Sequence, residues 1–193
     1  MSNQKTRQMA IIAMLTAFSV LFMEIFQFPI IPAFPFLKVD LSIIPVIVGL
    51  YTLGLSSSIS ILMLRSLIHL FIAPDISTFI GLPMNIVAMV IFILGIWYFS
   101  KKANQIVVKD YFIGGAIGTI ILTAVTTVLN IVYAMPVYSK VMNFDLPATY
   151  ITAGVLPFNL IQGIILTTIS GVIIFSLKKV IEKQRQIVHP VKH

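Results

Sequence analysis

Asn85, Asn130, Asn159 and Gln162 are carboxamides set inside runs of sequence that otherwise read as lipid-soluble helix. An amide in hydrocarbon must find a partner, so each marks either a contact between helices or a polar spot built for a ligand. Asn159 and Gln162 are spaced to share one helix face, as are Asn130 and Tyr133. Counted from the outer ends of their apolar runs, Asn85, Asn130 and Asn159 all lie about 8 Å deep at a rise of about 1.5 Å per residue. Three amides at one level are hard to account for as separate interhelical contacts. Groups that both donate and accept suit a flat ligand with alternating carbonyl and N–H groups. Met84, Phe158 and Leu41, nearby in sequence, supply the apolar wall that a small-molecule pocket needs.

The chain carries no sign of bond chemistry. It has no phosphate-binding G-x-x-x-x-G-K-[ST] loop, no H-E-x-x-H pair and no nucleophile and base at helical spacing. With no cysteine, disulfides and thiolate metal sites are excluded, and His189 and His193 read as solvated ends of a polar tail. The expectation is a binding or transport protein that is not an enzyme, needs no cofactor and holds no metal.

The elements that must position these amides are membrane helices. Hydrophobic residues make up 59% of the 193 and charged residues 10%, and the mean hydropathy is +1.05, outside the range of a soluble domain. Apolar runs at 9–28, 43–56, 59–72, 79–99, 111–135 and 154–177 predict an all-α membrane protein with six transmembrane helices, the second and third short. Six crossings put Lys5, Arg7, Lys101, Lys102, Lys109, Lys178, Lys179, Lys183, Arg185 and Lys192 on one side and leave Lys38 and Lys140 on the other. The positive-inside rule then makes both termini cytoplasmic. Merging 43–72 into one helix would place the basic tail outside, against the same rule.

The pI near 9.8 therefore reports topology and contact with lipid headgroups, not a nucleic-acid partner. Residues 1–193 read as a single integral membrane domain with a basic cytoplasmic tail from about Lys178, located in the cell membrane as a multi-pass protein. A proline-rich outer loop, 28–40, with Pro29, Pro32 and Pro35, reads as an irregular lid. A further outer loop at 136–152 holds Tyr138, Lys140, Asp145 and Tyr150. Lys38 and Lys140 are outnumbered outside by Asp40, Asp75 and Asp145, so nothing steers an anion and a neutral ligand is favoured.

Glu24, Arg65 and His69 are ionisable groups well inside helices, where burial requires partners. A proton relay would use such groups, but the chain lacks the repeat symmetry of secondary carriers, and structural pairing or an interfacial position is the expected role. Ala10, Ala13 and Ala17 give the first helix a small-residue face, and Gly114, Gly115 and Gly118 give the fifth another. Such faces allow close helix approach, within the chain or to another protein.

Four stretches, Leu37-Lys38-Val39-Asp40-Leu41-Ser42-Ile43-Ile44-Pro45, Gly81-Leu82-Pro83-Met84-Asn85, Asn130-Ile131-Val132-Tyr133 with Pro136 and Tyr138, and Leu156-Pro157-Phe158-Asn159-Leu160-Ile161-Gln162-Gly163, together resemble the riboflavin-specific substrate-binding (S) component of energy-coupling factor (ECF) transporters. The resemblance covers nearly the whole chain. It implies that riboflavin is captured from outside, its ring held between the first outer loop (Lys38, Asp40, Leu41) and helices four to six (Met84, Asn85, Asn130, Tyr133, Phe158, Asn159, Gln162). Asn130 and Asn159 would pair with the pyrimidine-like edge of the ring. The sequence departs from the family at Gln162, where many members have lysine, and at Ile43, where an acidic residue is common. The resemblance also implies docking through Ala10, Ala13 and Ala17 on a transmembrane coupling protein that works with two cytosolic ATPases. An S component for another vitamin, or an autonomous secondary carrier of a small neutral substrate, is the alternative.

Overall fold

Proline and glycine punctuate the apolar runs, and the helices of the computed structural model begin and end close to them. The structure describes residues 2–100, 106–143 and 145–188. The predicted cytoplasmic residues Lys101, Lys102 and Lys192, and the tail histidines His189 and His193, lie outside the described residues. Helix α1 (Ser2–Ile25) leads into a short hairpin, β1 (Gln27–Pro29) and β2 (Lys38–Asp40), and then into α2 (Ile43–Leu53), α3 (Leu55–Ile72), α4 (Ile76–Ser100) and α5 (Val108–Leu129). A π-helical turn, Asn130–Ala134, joins α5 to α6 (Met135–Met142), and a second, Tyr150–Val155, opens α7 (Leu156–Ser176); α8 (Lys178–Val188) follows.

Among the described residues five helical spans are long and apolar enough to cross a membrane: Gln4–Ile25, Leu55–Ile72, Ile76–Ser100, Val108–Val141 and Tyr150–Ser176. The second predicted crossing, Ile43–Leu53, is a shorter apolar helix. At about 1.5 Å per residue it covers roughly 16 Å, and every residue in it except Val48 is buried. Two features account for its length. Gly54, at φ 92° in the left-handed region, ends α2 and starts α3 with no intervening loop. At the other end Asp40 and Ser42 reach Arg65 in the middle of α3, so the end of β2 and the turn into α2 occupy depth that α2 does not.

That segment corrects the expectation of a wholly irregular lid, because its two limbs pair antiparallel with Phe28 opposite Val39 and Pro29 opposite Lys38. The fifth run also continues past its predicted end, so the 136–152 loop shrinks to the stretch between α6 and Tyr150. Residues from Lys178, expected as a tail, form α8, whose Ile181 and Val188 are buried while its lysines face out. Arg7 donates to Gln184 Oε1 at 2.9 Å, which places the start of α1 and the last turns of α8 at the same end of the bundle.

The core runs along α2, α4, α5 and α7 through Ile43, Ile47, Phe92, Ile96, Leu122, Leu166 and Ile174. Its closest approach is between α4 and α5, where glycines meet. A Cβ on Gly95 would stand 2.7 Å from the Gly114 carbonyl oxygen and 2.8 Å from Gly118 Cα, and one on Gly114 would stand 2.7 Å from Ile96 Cα. The Gly114–Gly118 face thus packs inside the chain. Ala10, Ala13 and Ala17 instead lie on the exposed side of α1.

Because backbone atoms cannot yield as a side-chain tip can, Gly114→Ala should destabilise the protein by about 1–3 kcal/mol through overpacking. Gly81→Ala, where an added Cβ meets nothing within 4 Å, should be neutral or slightly stabilising. Thermal unfolding of the detergent-solubilised protein, followed by size-exclusion fluorescence, separates the two; equal melting temperatures for both variants would contradict this packing.

Candidate functional site

The three spans that carry the predicted amides each have a proline near the amide, two residues from Asn85 and Asn159 and six from Asn130. Proline donates no backbone hydrogen bond and its ring crowds the carbonyl four residues earlier, so the local turn must widen or find another donor. Pro83 lies inside α4 and leaves the Phe79 carbonyl without its usual partner; the Tyr133 hydroxyl donates to that oxygen at 3.4 Å. Pro136 and Pro157 each stand two residues past the last residue of a π-helical turn. π-Turns carry extra residues per turn, and they shift the side chains beyond them around the helix.

Between these distorted turns and the β1–β2 loop lies a cavity of about 180 Å³. Its walls include Met84, Asn85 and Ala88 of α4, Thr126 and Asn130 of the fifth span, and Phe158, Asn159 and Gln162 of α7. Phe36, Leu37 and Lys38 cover it from the loop, with Ser77, Tyr138 and Tyr150 around the rim. The loop is fastened by aromatic edges. Phe34 meets Tyr150 edge-on at 5.3 Å between centroids, and Phe36 lies 6.0 Å from Tyr150 and 6.2 Å from Tyr138. Gly154 allows this seat, since a Cβ there would stand 2.9 Å from the Phe34 ring.

The amides differ in what they have left to offer. Asn130 is bonded at both ends: Nδ2 donates to the Thr126 carbonyl and Oδ1 accepts from the Tyr150 hydroxyl, each at 2.8 Å. Asn159 Nδ2 donates to the Val155 carbonyl at 2.8 Å, leaving Oδ1 without a partner among the described residues. Asn85 Oδ1 accepts from Arg65 at 2.8 Å and its Nδ2 is unengaged. Gln162 is 4% exposed, lines the cavity and bonds to no described residue. An unsatisfied buried amide costs about 1–3 kcal/mol, so these open donors and acceptors call for water or a ligand. They sit beside apolar and aromatic surface, an arrangement suited to an uncharged heterocycle.

Of the residues predicted for the site, the structure brings together Lys38, Met84, Asn85, Asn130, Phe158, Asn159 and Gln162. Tyr133, Asp40 and Leu41 lie off the cavity wall. The predicted sharing of a face by Asn130 and Tyr133 assumes an α-helix; the π-turn at Asn130–Ala134 carries Tyr133 away and puts Ala134 and Tyr138 on the cavity side. Asp40 accepts from the Ser42 amide at 3.0 Å and faces Arg65 at 3.5 Å. Sequence reasoning passed over Phe36, Tyr138, Tyr150 and Ser77 as site residues. Aromatic residues in both outer loops were the available signal, but nothing in their spacing shows that the loops meet.

The remaining ionisable groups inside the helices pair as expected: His69 Nδ1 and Glu24 Oε1 are 2.5 Å apart, joining α3 to α1. Among the described residues no three His, Asp or Glu side chains converge as a metal site would require.

Comparison with known proteins places this architecture. Residues 7–174 match the family model of the ECF transporter substrate-specific component. The riboflavin transporter RibU of Streptococcus thermophilus is 44% identical over 186 residues, covering 92% of this chain and 86% of that protein. RibU of Lactococcus lactis is 41% identical over 197 residues, covering 91% and 95%. A solved S component of a bacterial ECF transporter superposes with a TM-score of 0.74 over 91% of this chain and 98% of that one, at 24% identity, a likeness of fold. The chain belongs to the family of ECF transporter substrate-specific components.

Proposed function

We propose that the chain is the riboflavin-binding S component of an ATP-driven ECF importer, a multi-pass protein of the cell membrane that captures the vitamin outside and passes it to an energy-coupling module. The observation that carries this reading is the amide-lined cavity of about 180 Å³, found in a chain 44% identical to a riboflavin transporter. The flavin ring enters beneath the Phe36–Lys38 strap and lies against Met84, Ala88 and Phe158. Its pyrimidine-like edge pairs with Asn159 Oδ1, the Gln162 amide and the Asn85 N–H groups. Asn130, held by Tyr150, completes the row.

The topology that fits this function is one membrane domain with six crossings, α2 being the short one, and with cytoplasmic termini. Lys5, Arg7, Lys109, Lys178, Lys179, Lys183 and Arg185 gather at the end away from the cavity, where cations favour the cytoplasmic headgroups. With Lys179 and Lys183 outward and Ile181 and Val188 buried, α8 suits the same interface.

Delivery requires partners: one transmembrane coupling protein and two cytosolic ATPases. The exposed Ala10, Ala13 and Ala17 stripe on α1 fits docking on the coupling protein, since small residues let a partner helix approach closely. No step of this cycle makes or breaks a covalent bond within the chain.

Protein purified from cells grown with riboflavin should be yellow, and the apo form should quench riboflavin fluorescence on binding. A colourless protein that leaves the fluorescence unchanged would sink the ligand assignment. Asn159→Ala should weaken binding by about 1–3 kcal/mol, the cost of an unpaired buried group, and unchanged affinity would remove Asn159 from the site. Ala13→Leu and Ala17→Leu should bind riboflavin normally yet abolish uptake in cells that supply the coupling protein and ATPases. Uptake by the chain alone in liposomes carrying an ion gradient would favour an autonomous carrier instead.

A further inference from the structure

Arg65 has no place in the binding scheme so far, yet it is the largest fully buried side chain of the described residues, at 0% exposure in the middle of α3. A cation at this depth needs compensation, and its partners come from four other segments. Nη1 donates to Ser42 Oγ and lies 3.2 Å from Met23 Sδ and 3.5 Å from Asp40 Oδ1. Nη2 donates to Asn85 Oδ1 at 2.8 Å. Ser42 is tied in again, its hydroxyl donating to Asp40 and its carbonyl accepting from Ser19 at 2.6 Å.

Two consequences for the cavity follow. First, a carboxamide can turn either end toward a ligand, and a guanidinium, which only donates, permits one choice. With its oxygen taken by Arg65, Asn85 must present N–H groups to the cavity. Second, Asp40 and Ser42 close β2 and lead into α2, so the same guanidinium anchors the root of the strap whose Phe36, Leu37 and Lys38 cover the ligand.

We propose that Arg65 is a positioning residue for ligand recognition: it orients Asn85 as a donor, so that the cavity selects a ring carrying an acceptor at that point, and it fixes the covering strap to α3. This inference rests on the riboflavin reading. It is tested on the full-length protein in detergent by riboflavin fluorescence quenching, with thermal unfolding measured in parallel.

Arg65→Met and Asn85→Ala should each weaken riboflavin binding by about tenfold or more, whereas the double variant should lose no more than about threefold beyond the weaker-binding single, because both act through one contact. Asn85→Asp keeps the acceptor for Arg65 and discards the N–H groups; it should bind as poorly as Asn85→Ala while melting like the wild type. Where Arg65→Met fails to fold, Arg65→Lys serves: its single ammonium retains the charge beside Asp40 but cannot also span to Asn85, so affinity should fall with stability kept. Penalties that multiply in the double variant, wild-type affinity in Asn85→Asp, or wild-type affinity in Arg65→Met or Arg65→Lys would each overturn the proposal while the riboflavin reading stands. A wild-type protein that does not quench riboflavin removes that reading, and the proposal with it.

Discussion

In a bundle immersed in lipid every backbone polar group must be satisfied from within the protein, and prolines withdraw that satisfaction in the three spans that carry the cavity's amides. Pro83 and Pro157 stand two residues before Asn85 and Asn159, and Pro136 stands six residues after Asn130. Each removes one amide from the helical ladder where a carboxamide side chain can reach the backbone. Asn130 and Asn159 both donate to the carbonyl four residues earlier, and Tyr133 serves the oxygen that Pro83 leaves open. The distorted turns border the cavity, and Asn130 and Asn159, each bonded back to its own helix, line it.

A cavity of this kind needs a cover that leaves no unpaired backbone in hydrocarbon. The strap meets the requirement by pairing its limbs as β1 and β2 and by closing turns on itself, Phe34 N–H to the Ile31 carbonyl and Leu37 N–H to the Phe34 carbonyl, both at 3.0 Å. Its tip is held by ring edges against Tyr150 and its root by the buried Arg65 network. These fastenings differ in character. An aromatic edge contact contributes about 0.5–1.5 kcal/mol beyond its area, whereas removing one partner of a buried ion pair costs about 3–5 kcal/mol. The tip is thus held by ring contacts and the root by a buried ionic network.

Much of this was legible in the sequence where the signal is local. Apolar runs and charge placement gave the helices, and three asparagines at a common depth gave the cavity wall, because depth in a membrane helix is a matter of counting. What could not be read was anything that depends on departure from α-geometry. Tyr133 was placed by α-helical spacing, and the π-turn that displaces it arises from Pro136, three residues further on. Asp40 belonged to a motif, but its partner Arg65 lies 25 residues away in another helix. Tyr150 and Phe36 come together only because the strap folds across the mouth, a long-range meeting that no periodicity encodes.

The same contrast divides the molecule along its length. Toward the end that holds the start of α1 and the last turns of α8, α4 and α5 approach through Gly95, Gly114 and Gly118 until backbone touches backbone, and contacts of that kind have no neighbouring minimum to slide into. Toward the cavity the helices are π-wound, proline-interrupted and linked through side-chain hydrogen bonds that can exchange partners, as the Asn130–Tyr150 bond could with a ligand carbonyl. The two halves thus differ in kind: side-chain contacts surround the cavity, and backbone contacts between glycines seal the helices away from it.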